Sequence, residues 1–384
     1  MNSYKKIKLS DFVHMNPTER LTKGTVARKI SMDQIEPYKK FVFSTNYELY
    51  SGGAKFRNGD TIMARITPCL ENGKTAFVSG LAENEIAFGS TEYIVLRAKE
   101  NISIPDFVYY LTISSIVREP AIKSMVGSSG RQRVQQSVLD ELEIPLFSIT
   151  DQQHIVDIIG SIDDKIENNE KKIKKLLKYG QLFYKYDVDK NHYDYAELST
   201  MVKITRGASP RPIQNFLVQE GHPWIKISDV TSLTTPFLFE TKEYVTSDGA
   251  ARSVAVFPDD LILSNSATPG IPVFVQMAAY VHDGWLVIRD FKRITSNYLF
   301  WVLKNDRESI LSQGNGSIFT NLKTDILKQH KIPVPNNERM EYLDRLYGNI
   351  LSSIKALTTE NSKLNELKQL YLKSSSADNR RTFL

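Results

Sequence analysis

Two segments of the chain carry apolar residues at seven-residue intervals, in two interleaved sets, with charged residues at most of the positions between them. This a/d pattern is typical of a long helix that buries one stripe against another helix. We therefore predict a central helix over residues 151–186 and a second helix over residues 336–376, with residues 377–384 as a flexible tail. The predicted seam positions are Ile155, Ile159, Ile162, Ile166, Asn169, Ile173 and Leu176 in the first helix and Leu343, Tyr347, Ile350, Ile354, Leu357, Asn361 and Leu364 in the second.

The two helical segments are copies of one another. A shift of 188 positions aligns residues 139–185 with residues 327–373 without a gap and gives eleven identities over 47 residues. Each copy opens with a short apolar run that reaches proline, "LEIPLF" or "HKIPVP", which predicts a strand before the helix. Asp151 is expected to cap the first helix, and Asn336 or Asn337 the second.

The matched stripes predict that the two helices pair. Because a duplicated strand–helix unit closes most simply around a two-fold axis, an antiparallel coiled coil is favoured over two unrelated amphipathic surface helices. Asn169 and Asn361 would fix its register at some cost in stability. Gly160 and Gly348 are expected to allow close backbone approach. At 1.5 Å per residue, about 32 helical residues span roughly 48 Å, which is long enough to hold two globular domains apart.

The remaining segments, residues 1–150 and 187–335, each mix β-rich runs with an aromatic helix. The first contains "GDTIMARITPCLENGKTAFVSG" and the second contains "DDLILSNSATPGIPVFVQ", short apolar runs broken by turn residues. In both segments an aromatic helix and a glycine-rich loop follow in the same order. We predict an α+β (mixed α/β) fold with two globular domains on one scaffold, joined by the two long helices in a pseudo-two-fold repeat.

Composition narrows the class of protein. The 384 residues are enough for two or three domains, and the single cysteine, Cys69, excludes an intramolecular disulfide framework. No signal-peptide pattern and no apolar run of membrane-spanning length is present, so a cytoplasmic location is expected. Residues 1–136 carry 19 basic against 13 acidic side chains, whereas residues 187–324 carry 13 against 15. The basic first domain suits a polyanionic partner.

Searches for catalytic chemistry are negative. "PCLENGKTAF" has Pro68 where a phosphate-binding loop requires glycine, and no acid–x–lysine follows Asp259 and Asp260 at nuclease spacing. Those two aspartates read better as a turn that leads into a strand. The six histidines show no metal-binding spacing. We therefore expect no metal and no cofactor in this chain, and no autonomous enzyme.

The whole chain resembles the DNA-specificity (S) subunit of type I restriction–modification enzymes. The resemblance rests on the order domain, helix, domain, helix, and on "VLDELEIPLFSITDQQHIVDIIGSIDDKIENN". That stretch is similar to the family's isoleucine-Pro-leucine-Pro segment, acid–glutamine pair and spacer helix. The first copy has Phe147 and Ser148 where the family usually has prolines. The second copy keeps "KIPVP" but has "NERMEYLD" in place of the glutamine.

This resemblance implies a non-catalytic subunit that recognises double-stranded DNA. Residues 1–150 and 187–335 would be target-recognition domains, each reading one half of a bipartite site. The helices would set the gap between the halves and dock two methyltransferase (M) subunits. The M subunits would carry S-adenosylmethionine, and restriction (R) subunits, which use ATP and Mg, can join the complex; no membrane is involved.

Polar residues in the loops are the candidates for contact with DNA. Arginine pairs well with guanine, and asparagine or glutamine with adenine, while lysine, serine and threonine mostly bind phosphates. A coiled-coil adaptor without sequence-specific DNA binding remains the alternative, and a cryptic nuclease or methyltransferase would need a catalytic constellation that the sequence does not show. The DNA-binding candidates are Arg65, Lys74, Ser90, Thr91, Arg131, Gln132 and Arg133 in the first domain and Arg206, Arg211, Lys226, Ser264, Asn265, Ser266, Thr268, Asn315 and Lys323 in the second.

Overall fold

The structure is a computed structural model that describes residues 5–313 and 321–374. The chain forms two units. The first unit consists of Met1–Glu167 together with Ser362–Leu384, and the second unit consists of Asn168–Asn361. Each unit therefore combines one globular domain with a part of each long helix. The predicted tail, residues 377–384, lies outside the described residues.

The globular domain of the first unit contains two four-stranded sheets, with strand orders β2-β9-β6-β7 and β4-β3-β8-β5, and a separate pair formed by β1 and β10. The central helix α5 follows this domain. In chain order the elements are β1 (Lys6–Lys8), α1 (Leu9–Phe12), β2 (Val13–Met15), β3 (Val26–Ile30), β4 (Tyr47–Leu49), β5 (Lys55–Phe56), β6 (Thr61–Ala64), β7 (Thr75–Phe77), β8 (Ala87–Gly89), β9 (Tyr93–Ala98), α2 (Pro105–Ile113), α3 (Ser115–Lys123), α4 (Gln136–Asp140), β10 (Glu143–Pro145) and α5 (Ile149–Lys190).

The globular domain of the second unit has sheets of order β12-β21-β18-β19-β15 and β13-β16-β14-β20-β17, and a separate pair formed by β11 and β22. The second long helix, α11, follows it. The elements are β11 (Asp194–Glu197), α6 (Leu198–Met201), β12 (Lys203–Arg206), β13 (Leu217–Val218), β14 (His222–Ile225), α7 (Ser228–Thr231), β15 (Phe237–Leu238), β16 (Glu243–Val245), α8 (Ser247–Ala251), β17 (Val254–Val256), β18 (Leu261–Ser264), β19 (Pro272–Val275), β20 (Ala279–Val281), β21 (Trp285–Arg289), α9 (Ser296–Ser312), α10 (Thr324–Gln329), β22 (Lys331–Val334) and α11 (Asn337–Ser374).

The two domains share one scaffold. The order β2-β9-β6-β7 in the first domain reappears as β12-β21-β18-β19 in the second. In the other sheet, the parallel pair β3–β8 reappears as the parallel pair β14–β20. The sheets thus repeat as the sequence predicts, and the mixed α/β fold class is confirmed.

The central strands are buried on both faces, which explains their continuous apolar sequences. In β6, Ile62 points into the cluster between the two sheets with Val95. Its neighbour Met63 points the opposite way, into the cluster that includes Ile94 and residues of α2. Because successive side chains of a strand face opposite sides, one strand serves both cores. Strand β18 does the same in the second unit.

An aspartate–arginine pair anchors the start of this strand in each domain. Arg97 donates to Asp60 through Nε at 2.6 Å and Nη2 at 2.7 Å, and the Asp60 side chain is 1% exposed. Arg289 likewise pairs with Asp260. Asp259 adopts a positive φ of 68° just before β18, so the two adjacent aspartates form the predicted turn into a strand.

The long helices pair antiparallel. In the second unit Asn169 contacts Asn361, while Asp187, further along α5, contacts Arg339, which lies earlier in α11. In the first unit Asp163 of α5 pairs with Lys368 of α11. The predicted antiparallel coiled coil is confirmed in both units.

All fourteen predicted seam positions are buried or half-buried. Asn169 is fully buried, and its Nδ2 donates to Asn361 Oδ1 at 2.9 Å. Five seam positions are half-buried: Ile166, Leu176, Leu357, Asn361 and Leu364. Nine are buried: Ile155, Ile159, Ile162, Asn169, Ile173, Leu343, Tyr347, Ile350 and Ile354.

The start of α5 differs from the prediction. The helix begins at Ile149, and the Ser148 hydroxyl accepts a hydrogen bond from Asp151 N at 3.1 Å. Asp151 Oδ2 in turn accepts from Ser148 N at 3.2 Å. Asp151 as the cap was therefore wrong: Ser148 is the cap, and Asp151 completes a capping box three residues later. In the second copy Asn336 is the cap, as predicted, because its Oδ1 accepts from Arg339 N at 2.8 Å.

Each of the two helix glycines faces a side chain of its own globular domain. A Cβ at Gly160 would lie 3.7 Å from the Tyr110 hydroxyl, and a Cβ at Gly348 would lie 3.3 Å from Asn297 Nδ2. The atoms that a Cβ would meet at these two positions belong to side chains of α2 and α9.

Gln152 fastens the beginning of α5 to the first domain. Its side chain is fully buried, accepts from Ile104 N at 2.8 Å and donates to Ile102 O at 2.8 Å and Phe147 O at 3.1 Å. The amide thus satisfies three backbone groups at a buried position. A glutamine at the helix start has a structural role here.

Candidate nucleic-acid interface

Three loops of the first domain meet at one end of the β2-β9-β6-β7 sheet. The β6–β7 loop contacts the turn before β9 through Arg65 N and Glu92 O at 2.9 Å. It contacts the loop after α3 through Thr67 N and Gln132 O at 3.0 Å and through Val134 N and Arg65 O at 2.9 Å. We call residues 65–74, 90–92 and 131–133 the first recognition edge. All seven first-domain candidates lie in it.

An ion pair joins two of the three loops of this edge. Arg133 donates to Glu92 Oε1 through Nη2 at 2.6 Å and through Nε at 2.9 Å. The arginine side chain is 45% exposed and the glutamate 22%. The hydrogen bond from Arg133 is the main cause that holds the pKa of Glu92 below its ordinary value, so the pair is charged at neutral pH.

The other first-domain candidates divide into exposed and engaged side chains. Arg131 and Thr91 are exposed at the surface. Arg65 is half-buried and donates to Val134 O at 3.2 Å, and the Lys74 ammonium donates to Met32 O at 2.7 Å. Ser90 Oγ accepts from Glu92 N at 3.0 Å and so closes the turn.

The second domain builds an equivalent edge around Asp283. Arg206 Nε donates to Asp283 O at 2.8 Å, and Arg211 Nη2 donates to Asp283 Oδ2 at 3.0 Å. The Ser209 hydroxyl donates to Asp283 Oδ1 at 2.7 Å. Asn265 N donates at 2.8 Å to the carbonyl oxygen of Gly284, the residue that follows Asp283. We call residues 206–211, 264–268 and 282–284 the second recognition edge.

Burial separates the second-domain candidates. Ser264 is fully buried and shapes the loop, because its Oγ donates to Thr268 O at 2.7 Å and accepts from Ile271 N at 2.9 Å. Asn265 is 3% exposed. Ser266 and Thr268 are half-buried, whereas Lys323 is exposed. Asn315 lies outside the described residues.

A groove of about 640 Å³ runs beside the second edge. Trp224 and Leu217 contribute apolar walls, and Arg211 and Lys226 contribute charge. Lys226 Nζ lies 2.6 Å from Glu243 Oε1. Burial lowers the pKa of His282, which also lines the groove, so its ring is neutral at physiological pH.

Neither a metal-binding cluster nor a membrane-crossing helix occurs among the described residues. Within residues 5–313 and 321–374, no three His, Cys, Asp or Glu side chains are grouped so as to hold a metal ion. In the same described part of the chain, no helix has the length and apolar character that crossing a membrane requires.

Comparison with known proteins identifies the fold and the family together. The family model described as the type I restriction modification DNA specificity domain matches residues 1–178 and matches again over residues 192–370. The chain belongs to this family. The resemblance stated from the sequence is thereby confirmed, and the two matches correspond to the two copies of the internal repeat.

The curated relatives of this chain are also specificity subunits. The EcoAI specificity subunit of Escherichia coli is 33% identical over 109 residues, which are 28% of this chain and 18% of that subunit. The HindI specificity subunit of Haemophilus influenzae is 31% identical over 146 residues, 37% of this chain and 30% of that subunit. This chain therefore matches less than a third of the length of either relative. The putative MjaX specificity subunit of Methanocaldococcus jannaschii is 24% identical over 341 residues, 82% of this chain and 77% of that one.

A solved structure supports the fold of this family member. The type I restriction–modification S subunit from M. genitalium aligns with a TM-score of 0.59 and 15% sequence identity over 98% of this chain and 97% of that chain. At this identity the likeness concerns the architecture alone.

Two acidic residues that pair with arginines at the edges were not among the candidates from the sequence. Glu92 and Asp283 each accept a hydrogen bond from an arginine at one of the edges. Most side chains that read bases are hydrogen-bond donors, so acidic residues were not chosen as candidates. Both acids lie in a short polar turn immediately before a buried apolar strand, in "GSTEY" and "VHDGW". An acidic residue at this position in both domains could have indicated that the two residues are equivalent.

Proposed function

We propose that this chain is the sequence-reading subunit of a type I restriction–modification complex. Each domain reads one half of a bipartite double-stranded DNA site with its recognition edge. The paired helices set the gap between the halves and dock two M subunits. The chain itself carries out no catalysis.

This proposal rests on one observation: the two edges share a backbone hydrogen bond but carry different side chains. Val134 N donates to Arg65 O at 2.9 Å in the first domain, and Leu322 N donates to Asn265 O at 2.6 Å in the second. The same backbone bond is thus made at an arginine in one domain and at an asparagine in the other. One scaffold with exchanged loop residues is suited to reading two different half-sites.

Docking of two identical partners is supported by a repeated apolar patch. On α5, Tyr179 and Leu182 are 51% and 55% exposed. The positions 188 residues later on α11, Leu367 and Leu370, are 41% and 64% exposed. Exposed apolar side chains three residues apart on a helix form one surface, and such surfaces mark protein contacts. We assign one patch, Tyr179 with Leu182 or Leu367 with Leu370, to each M subunit.

The chemistry of the complex then belongs to the partners. S-adenosylmethionine binds to the M subunits, which methylate adenine after flipping it out of the stack. R subunits, with ATP and Mg, add cleavage where they are present. The S chain supplies position and choice of sequence.

Methylome sequencing tests the reading function. Cells that carry this chain with its neighbouring M subunit should show methylated adenines in one bipartite motif. The chain alone should methylate no DNA in the presence of S-adenosylmethionine. Methylation by the chain alone, or a folded complex with no preferred sequence, would contradict the proposal; the second result would favour a protein adaptor.

Stoichiometry tests the docking patches. We expect Leu182→Glu and Leu370→Glu to lose one M subunit each and the double variant to lose both, measured by native mass spectrometry. Val138→Glu is the matched control, since Val138 is a 43% exposed aliphatic residue of α4 outside either patch. Two bound M subunits in the double variant would exclude these patches as docking sites.

A further inference from the structure

The two recognition edges repeat one feature that their sequences do not share. In each domain a carboxylate in the turn before the long strand of the four-stranded core, β9 or β21, pairs with an arginine of a neighbouring loop. The pairs are Glu92 with Arg133 and Asp283 with Arg211. An arrangement that recurs with different residues, from different loops, points to a common task.

The geometry of the first pair leaves one side of the guanidinium available. Glu92 Oε1 accepts hydrogen bonds from two nitrogens of Arg133, from Nε at 2.9 Å and from Nη2 at 2.6 Å. Nη1 makes a long bond of 3.4 Å to Arg131 O. A guanidinium has five N–H groups in a rigid fork, so the outward-facing hydrogens of Nη1 and Nη2 remain for a second planar partner.

In the second pair the carboxylate is held firmly, and the arginine is bonded through one nitrogen. Arg211 donates through Nη2 alone to Asp283 Oδ2, at 3.0 Å, and its side chain is 78% exposed. The Ser209 hydroxyl binds the other oxygen, Oδ1, at 2.7 Å. Partial burial raises the pKa of Asp283, but the Ser209 hydrogen bond and the Arg211 charge together hold it below its ordinary value. The carboxylate is thus fixed and charged.

The remaining arginine candidates of the first edge lack this combination. Arg65 is half-buried and bonded to Val134 O, and its Nε is buried without a partner among the described residues. Arg131 is exposed, and no contact of its guanidinium occurs among the described residues. A base reader must be both accessible and oriented, because an unheld arginine loses rotamer freedom on binding.

We propose that Arg133 and Arg211 are the guanine-reading residues of the two domains and that Glu92 and Asp283 are their positioning residues. This inference rests on the proposed DNA-reading function. Guanine offers O6 and N7 side by side in the major groove, which matches two parallel N–H donors. Each half of the recognised site then contains a guanine at a position that these arginines read.

Isosteric substitution of the carboxylate is the sharpest test. In Glu92→Gln one carboxylate oxygen becomes an NH2 group, which cannot accept from the arginine, and the negative charge that holds the guanidinium is lost, while size and shape are kept. We expect discrimination at one guanine of the first half-site to fall roughly 5- to 150-fold, the range for one good bidentate pair. The second half-site should be unaffected. Asp283→Asn should show the reverse pattern.

The measurement is a set of duplexes with single base changes, assayed for methylation by the S chain with its M subunits. Arg133→Lys should show the same loss at the same base, because lysine keeps the charge but not the fork. Glu143→Gln is the matched control: Glu143 is an exposed carboxylate paired with Lys6 at 3.1 Å in the same unit. It should leave the discrimination ratio unchanged.

Each outcome of these measurements either supports or overturns the inference. A target with no guanine in the half-site that Glu92→Gln alters, or unchanged discrimination in that variant, overturns the inference while leaving the DNA-reading function intact. A lower unfolding midpoint with an unchanged base preference assigns the pair a structural role and also overturns it. If the wild-type complex has no preferred sequence at all, the proposed function fails first.

Discussion

Lys368 gives the most direct test of how the first unit is held together. Its side chain is 3% exposed, and its Nζ lies 2.6 Å from Asp163 Oδ1, which belongs to a carboxylate that is itself 10% exposed. The Tyr110 hydroxyl donates to the second oxygen, Oδ2, at 2.9 Å. Burial, followed by the charge of Asp163, raises the pKa of Tyr110, so the phenol stays protonated and donates. Lys368→Met removes the only cation that an ion pair among the described residues gives this carboxylate.

The cost follows from leaving a buried charge without its partner. Removal of one member of a buried ion pair destabilises a protein by about 3–5 kcal/mol. For a unit of this size, 1 kcal/mol shifts the melting temperature by about 2–4 °C. We therefore expect the first unit of Lys368→Met to melt about 6–20 °C below that of the wild type. Lys363→Met is the control, because Lys363 lies on the exposed side of the same helix.

The chain provides separate optical probes for its two units. All three tryptophans, Trp224, Trp285 and Trp301, belong to the second unit. Lys368→Met should therefore show an early loss of far-ultraviolet circular dichroism while tryptophan fluorescence keeps its wild-type transition. An early fluorescence transition of the same size would show that the damage is not confined to the first unit.

A double-mutant cycle completes the experiment. Lys368→Met combined with Asp163→Asn removes both charges, and the new amide oxygen still accepts from Tyr110. We expect the double variant to recover most of the lost stability, since replacing a whole buried pair by neutral groups is close to neutral. Costs that simply add, or a Lys368→Met cost no larger than that of Lys363→Met, would refute the account of a buried, mutually dependent pair.

Three further predictions concern the helices. Gln152→Ala should cost about 2–4 kcal/mol by leaving buried backbone groups unpaired, whereas Gln153→Ala on the exposed side should cost little in a urea titration. Gly180→Ala should destabilise the second unit although alanine favours helix, because its Cβ would lie 2.4 Å from Trp301; a rise in the fluorescence midpoint would contradict the packing. Inserting seven residues into both α5 and α11 between the units should lengthen them by about 10 Å, near three base pairs, and change the gap of the mapped site; an unchanged gap in a folded variant would exclude a spacer role.

The parts of the fold that the sequence predicted are those written in a local, periodic pattern. Ile159 and Ile354 were assigned to the seam by seven-residue spacing alone, and each is at most 1% exposed. The repeat at 188 residues then predicted one scaffold used twice. Both signals depend on residues that must face a core, and burial leaves few alternatives at such positions.

The recognition edges depended on contacts between distant residues. Glu92 and Arg133 are 41 positions apart, and nothing in the residues between them indicates that they form a pair. Asn265 has the composition of a base reader but is 3% exposed, because the strand that precedes it continues into the core. Residue type suggested the chemistry at these loops, while accessibility and partners followed only from the topology that brings the loops together.

One unit is continuous in sequence and the other is not, and this difference affects the order in which the units can fold during synthesis. The second unit is one continuous segment, Asn168–Asn361, so a growing polypeptide can fold it as soon as that segment has been synthesised. The core of the first unit includes Leu372, and its buried ion pair includes Lys368, so the domain synthesised first is finished last. A nascent chain that ends at residue 361 would hold the whole of the second unit and a first unit that still lacks part of its core. The antiparallel return of α11 thus ties completion of the first domain to synthesis of the second.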